Sequence, residues 1–168
     1  MKSIFKSFLV IGLLLVSAVS FAQKTAFINL DSLLTIMPEY GEAKKNLAEH
    51  YKQLESTLTT MQKELNDKGT EYQANESKYT DLIKQTKQKE IQDLQQRIQD
   101  FQTSAQSEIQ KKQEELTKPV LAKAKKSIEK IAKTKGYKMV IDASGGLLLY
   151  SEPADDIFNA VKLDLGIK

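Results

Sequence analysis

From Glu42 to Lys118 the chain contains no proline and a single glycine, Gly69. Such a stretch is free to run as helix, and the spacing of its apolar residues says which kind. Leu47, Tyr51, Leu54, Leu58, Met61 and Leu65 follow one another at steps of 4, 3, 4, 3 and 4. That is a 3.5-residue repeat, which draws one narrow apolar stripe along a long helix. Continued in phase, the stripe meets Lys68, Tyr72, Asn75, Tyr79 and Leu82 and becomes half polar. A second ladder runs through Ile91, Leu94, Ile98, Phe101 and Ala105 at steps of 3, 4, 3 and 4. Ile109 then follows by four and Leu116 by seven more, a shift that breaks the heptad and relaxes the supercoil locally. Ten glutamines between Gln85 and Gln113 add helix-favouring surface without charge.

The two ends of the chain have a different pattern. Thr25-Ala26-Phe27-Ile28-Asn29-Leu30 alternates as a strand, with Phe27 making its second face apolar as well. Asp31 and Ser32 are placed to cap the short apolar run 33–36, and Pro38 suits the first turn of a new helix. After Pro119, the residues Val120, Leu121, Ala124, Ile128, Ile131 and Ala132 form an amphipathic helix that Gly136 is placed to stop. Residues 137–142 alternate as a strand, 143–146 read as a turn, and Leu147-Leu148-Leu149-Tyr150 reads as a second strand, together a β-hairpin. Pro153 with Asp155 and Asp156 opens a last helix, with Ile157, Ala160, Val161 and Leu165 on one face.

A lone strand is not stable, so 25–30 is expected to pair with the 137–150 hairpin. The helical middle must then leave and return. Tyr79-Thr80-Asp81 offers a turn with cap residues at its midpoint. Each arm would hold about 38 residues and span ~57 Å at helical rise. The expected fold is α+β: a small β-sheet head built from both chain ends (residues 23–37 and 119–168) carrying a long antiparallel coiled-coil hairpin (38–118). A head of roughly 65 residues is marginal without a staple. With no cysteine to supply one, oligomerisation is the available route, and Phe27, Ile28, Leu147, Leu148 and Leu149 are the candidate contact residues.

The first 22 residues read as an address. Lys2 and Lys6 precede an apolar run from Phe8 to Val19, and Ser20-Phe21-Ala22 supplies small residues for cleavage after Ala22. The chain carries 25 Lys+Arg against 22 Asp+Glu. Two of the lysines belong to the signal peptide, so the exported part is near charge balance and is not expected to bind nucleic acid. The absence of cysteine excludes a disulfide framework, a thiolate metal site, a cysteine nucleophile and a lipid-anchored N-terminal cysteine. A single histidine, His50, argues against a multi-histidine metal centre and reads as a surface residue. Asp142, Asp155 and Asp156 are better explained by turn and cap duties than by acid–base chemistry. No catalytic residue, metal or cofactor is expected.

Taken in order, several motifs resemble one family. They are the signal peptide, the strand with Phe27-Ile28-Asn29-Leu30 and Asp31-Ser32-Leu33-Leu34, the helix opening Pro38-Glu39-Tyr40 and a glutamine-rich helical hairpin. Lys111-Lys112-Gln113-Glu114-Glu115-Leu116 follows before Pro119, then Lys135-Gly136-Tyr137-Lys138-Met139-Val140-Ile141-Asp142 and a helix at Asp156-Ile157. This order is similar to the Skp/OmpH family of periplasmic chaperones. The resemblance implies a periplasmic homotrimer with joined sheets, whose helical arms enclose a cavity. It implies that the cavity holds unfolded outer-membrane β-barrel proteins without ATP. Where the family often has Thr or Ser after the Asp-Ile pair, this chain has Phe158, so Asp155 or Asp156 must supply the cap.

The residues fit such a task. An unfolded membrane barrel aggregates through apolar strands, and many weak contacts shield it while still allowing release. Tyr72, Tyr79, Leu82 and Ile83 lie in an otherwise polar distal half and are candidate client contacts; the alternative is that they only pack the arms together. Eight lysines and one acid, Glu129, lie between Lys118 and Lys138. Lys123, Lys126, Lys130 and Lys133 share a helical face that would attract an anionic lipid surface or acidic clients, unless it is only a solvated face. Besides the holdase, two other readings fit the sequence: a structural coiled-coil spacer or adaptor of the envelope, and a membrane-surface binder.

Overall fold

The computed structural model describes residues 24–168; the signal-peptide reading lies outside them. Two strands and four helices follow in order: β1 (Thr25–Ile28), α1 (Leu30–Ile36), α2 (Pro38–Asn75), α3 (Asp81–Thr134), β2 (Met139–Asp142) and α4 (Phe158–Asp164). Short 3-10 turns lie at Glu76–Lys78 and Pro153–Asp155. The chain divides into two compact units. One comprises residues 24–33 and 124–168, here the β unit; the other comprises 34–123, the hairpin unit. α3 contributes residues to both.

In the β unit the two chain ends do meet. β1 and β2 pair in parallel, with Thr25 opposite Met139 and Ile28 opposite Asp142. Phe27 makes a further parallel bridge to Asp156 on the other edge of β1, where the Ile157 N–H donates to the Phe27 carbonyl at 3.1 Å. Alternation puts Ala26 and Ile28 on the buried face, together with Leu33, Ala124, Ile157 and Val161, all at 2% exposure or less. α3 ends in a Schellman motif: Tyr137 N–H bonds to Ala132 O at 2.9 Å and Gly136 N–H to Lys133 O at 3.2 Å. The motif needs a left-handed residue, and Gly136 supplies it at φ 75. Tyr137 then folds inward, 7% exposed, and its hydroxyl donates to Asp155 Oδ1 at 3.0 Å.

Three expectations are corrected here. The 147–150 segment is not a strand, so no β-hairpin forms; β2 pairs with β1 alone. A wholly apolar strand needs cover on both faces, and among the described residues Leu147 and Leu149 find little, at 90% and 95% exposure. The α1 cap is Asn29, whose Oδ1 accepts the Ser32 N–H at 2.8 Å, and not Asp31 or Ser32. A cap must precede the first turn, and α1 begins at Leu30. Finally, Pro119 lies inside α3 and does not open a new helix. Proline frees the carbonyl one turn earlier, that of Glu115. Pro119 and Glu115 are both solvent-exposed, so water can satisfy that carbonyl and the helix continues.

The hairpin unit is antiparallel. α2 starts with Pro38 at its first position and runs for 38 residues. The reversal falls at Tyr79 and Thr80, where the Thr80 Oγ1 accepts the Ile83 N–H at 3.4 Å. Partners across the arms fix the register: Glu39 with Lys123, His50 with Glu108 at 3.0 Å, Lys68 with Glu90 at 3.0 Å and Glu71 with Lys87 at 2.9 Å.

Candidate functional site

The seam of the hairpin follows the 3.5-residue pattern. On α2, Leu47, Leu54, Leu58, Met61, Leu65, Lys68, Tyr72 and Asn75 are partly buried while the residues between them are mostly exposed. On α3, Leu94 and Ile98 are buried at 3% and 8% exposure, with Ile91, Phe101, Ala105 and Ile109 partly buried. The stripe is narrow, as two helices alone can bury no more than one face of each.

At mid-arm the seam opens. A groove of about 510 Å³ is lined by Tyr51, Leu54, Leu58, Phe101, Ala105 and Ile109, with Glu55 and three glutamines at its margins. It lies where the α3 ladder takes two successive steps of four, from Phe101 to Ala105 and on to Ile109. Phe101, Ala105 and Ile109 stay partly buried through that shift, with the small Ala105 between the two larger side chains. Tyr51, nominally a seam residue, is 55% exposed beside it.

Toward the tip the seam becomes polar. Besides Lys68–Glu90 and Glu71–Lys87, Gln88 donates to the Tyr72 hydroxyl at 2.7 Å and Tyr79 donates to Glu71 Oε1 at 3.3 Å. The Tyr72 and Tyr79 rings lie 6.3 Å apart. The hydrogen bond from Lys87 holds the Glu71 carboxyl below its usual value and raises Lys87 in turn. Desolvation, reinforced by the charge of Glu76, raises the Tyr72 phenol.

The structure separates the four candidate client residues into two kinds. Tyr72 and Tyr79 are partly buried in the tip network, whereas Leu82 is 74% and Ile83 42% exposed. The candidate oligomerisation residues also divide. Ile28 is 2% exposed and belongs to the chain's own core, so it is not available to a partner; alternation along β1 dictates this. Phe27 and Leu148 are partly buried, and Leu147 and Leu149 are exposed. Of the candidate lysines, Lys123 pairs with Glu39, Lys130 with Asp164, and Lys133 with Glu129 at 2.5 Å. Each pair lowers its carboxyl, chiefly through the lysine hydrogen bond. Lys126 has no ion pair among the described residues.

His50 is a further correction: its side chain is 21% exposed and turned toward the opposite arm, with Nε2 close to Glu108 but not aligned as a hydrogen bond. A heptad position three residues after Leu47 lies beside the seam, which is why it is not a surface residue. The three aspartates have structural partners. Asp142 accepts N–H groups of Ser144 at 2.9 Å and Leu30 at 3.3 Å, and Asp156 accepts that of Phe158 at 2.8 Å. Asp155 accepts from Tyr137. Among the described residues no His, Cys, Asp and Glu cluster of three or more could hold a metal ion, and no helix is long and apolar enough to cross a membrane. The cross-arm ion pairs were not legible in the sequence, since lysine and glutamate are common at every helical position. The groove had a signal in the broken heptad.

A long antiparallel helical hairpin in one unit and a small parallel two-stranded sheet in the other define an α+β class of protein. The OmpH-like outer membrane protein family model matches residues 24–165, and the chain belongs to that family. Its fold is similar to the crystal structure of a proposed outer membrane chaperone (OmpH-like) from Caulobacter crescentus CB15. That match has a TM-score of 0.73 and 14% sequence identity, and covers 84% of this chain and 82% of the other. No curated protein matches the sequence.

Proposed function

We propose that the protein is a periplasmic, ATP-independent holdase chaperone that binds unfolded outer-membrane β-barrel proteins and keeps them from aggregating. The observation that carries this reading is the mid-arm groove. It is an apolar concavity between Tyr51, Leu58, Phe101 and Ile109 whose margins hold uncharged glutamines and one acid, Glu55. It suits apolar side chains of an extended chain and makes no demand on sequence. Leu82 and Ile83 add apolar contacts at the tip. Family membership supports the same reading, as does the description of the Caulobacter protein as a proposed outer membrane chaperone.

The working form in this reading is a homo-oligomer, a trimer by the family resemblance, joined through the β unit. Leu147 and Leu149 are covered by neighbouring copies, and Phe27 and Leu148 lie at the margin. The arms then surround a shared cavity. Clients are held by many weak contacts, so release needs no nucleotide and no catalytic residue. An anionic-surface role for Lys126 and its neighbours is the weaker reading, because Lys123, Lys130 and Lys133 already face carboxylates. A spacer or adaptor would bind a folded partner and ignore unfolded ones.

Gel filtration separates these. Without nucleotide, a urea-unfolded outer-membrane barrel should co-elute with the protein after dilution, and the same barrel folded in detergent should not. Failure of the unfolded barrel to co-elute refutes the holdase reading.

A further inference from the structure

The hairpin is held together by two different kinds of contact along its length. From Leu94 to Ile109 the returning arm offers apolar side chains, of which Leu94 and Ile98 are buried. Nearer the tip, the cross-arm contacts are Lys68–Glu90 at 3.0 Å, Lys87–Glu71 at 2.9 Å and the Gln88–Tyr72 hydrogen bond at 2.7 Å. Both lysines are 31% exposed and their carboxylates 45% and 49%, so water and salt reach all four charges. Apolar burial is not weakened by sodium chloride, whereas exposed ion pairs are screened, with a Debye length of ~30 Å at 0.01 M and ~3 Å at 1 M. One such exposed pair stabilises only weakly. In the distal segment that is still a large share, because few apolar contacts compete with it.

We propose that the distal part of the hairpin, residues 66–92, is an electrostatic latch. At low ionic strength the Lys68–Glu90 and Glu71–Lys87 pairs hold the two arms together around the tip. At high ionic strength they release, and the tip opens while the apolar seam from Leu94 onward stays closed. Opening frees Tyr72, partly buried in the seam, from its cross-arm bond to Gln88, beside the already exposed Leu82 and Ile83. Salt would thus set how much apolar surface the tip offers. That consequence for clients rests on the reading above, but the latch itself does not.

Amide hydrogen exchange of the purified protein without client tests the latch, with mass-spectrometric readout by segment. Between about 0.02 M and about 0.5 M sodium chloride, exchange in 66–92 should accelerate about fivefold, the effect expected of two screened pairs acting together. Segments 43–61 and 94–116 should change less than about twofold. Lys87→Gln should show fast distal exchange already at low salt and a blunted salt response. Lys63→Gln, which removes a lysine paired with Asp67 on the same helix, should keep the wild-type response. Reversing both charges, Glu71→Lys with Lys87→Glu, should restore low-salt protection. Salt-independent exchange in 66–92, or equal behaviour of Lys87→Gln and Lys63→Gln, overturns the proposal. Since no client is present, its failure would leave the chaperone reading intact.

Discussion

The Ser127 hydroxyl donates to Asp164 Oδ2 at 2.6 Å, and Lys130 pairs with the other oxygen of the same carboxylate. This contact ties α4 to α3 within the β unit, at a serine only 6% exposed. The Lys130 hydrogen bond first, then that of Ser127, holds the Asp164 carboxyl below the usual aspartate range. At Asp142 desolvation pulls upward, but the Ser144 and Leu30 hydrogen bonds outweigh it and the carboxyl is again lowered.

A carboxylate lowered by folding contributes stability that is complete above its unfolded value and lost as pH falls through the folded one. The β unit should therefore lose stability below about pH 4. Asp164→Asn should be less stable than wild type at neutral pH and lose less on acidification. Thermal midpoints measured across that range check it; parallel curves for the two proteins would contradict it.

Gly136, at the end of α3, should tolerate replacement poorly. Space is not the obstacle, since a Cβ there would meet nothing within 4 Å. The cost is the left-handed backbone at φ 75. Gly136→Ala should destabilise by about 1 kcal/mol, read from urea denaturation followed by circular dichroism.

Much of this was legible in the sequence. The 3.5-residue repeat predicts most of the hairpin seam, because only one stripe of each arm is buried, although Tyr51 and Leu82 in that phase are exposed. Thr80 at the reversal and Gly136 at the end of α3 were readable because caps and left-handed positions demand particular residues. The failures share a cause. Leu147-Leu148-Leu149-Tyr150 has strand composition, yet a strand exists only with a partner, and the described residues provide none. Pro119 looks like a boundary, but an exposed proline whose freed carbonyl faces water interrupts nothing. Tip pairing through Lys68, Glu71, Lys87 and Glu90 depends on the register between arms, which no local pattern encodes.

Burial separates two leucines of similar sequence context. Leu94, 3% exposed, fills the seam, and Leu94→Ala should cost about 2–3 kcal/mol. Leu82, 74% exposed, should cost less than about 0.5 kcal/mol when truncated. If Leu82 contacts clients, Leu82→Ala should instead weaken client retention. Equilibrium unfolding and client co-elution, measured on both variants, distinguish the two roles.

Paired substitution Leu147→Ser with Leu149→Ser should leave helix content and unfolding of the chain nearly unchanged, since both side chains are exposed. The proposed assembly loses its apolar contact, so sedimentation velocity should show a shift from oligomer toward monomer. Unchanged sedimentation would place the interface elsewhere.

The most direct measurement is light scattering from a urea-unfolded outer-membrane barrel diluted into buffer without nucleotide. With the protein present at near-stoichiometric amounts, scattering should stay close to the buffer baseline. A rise as large as in its absence would contradict the holdase function.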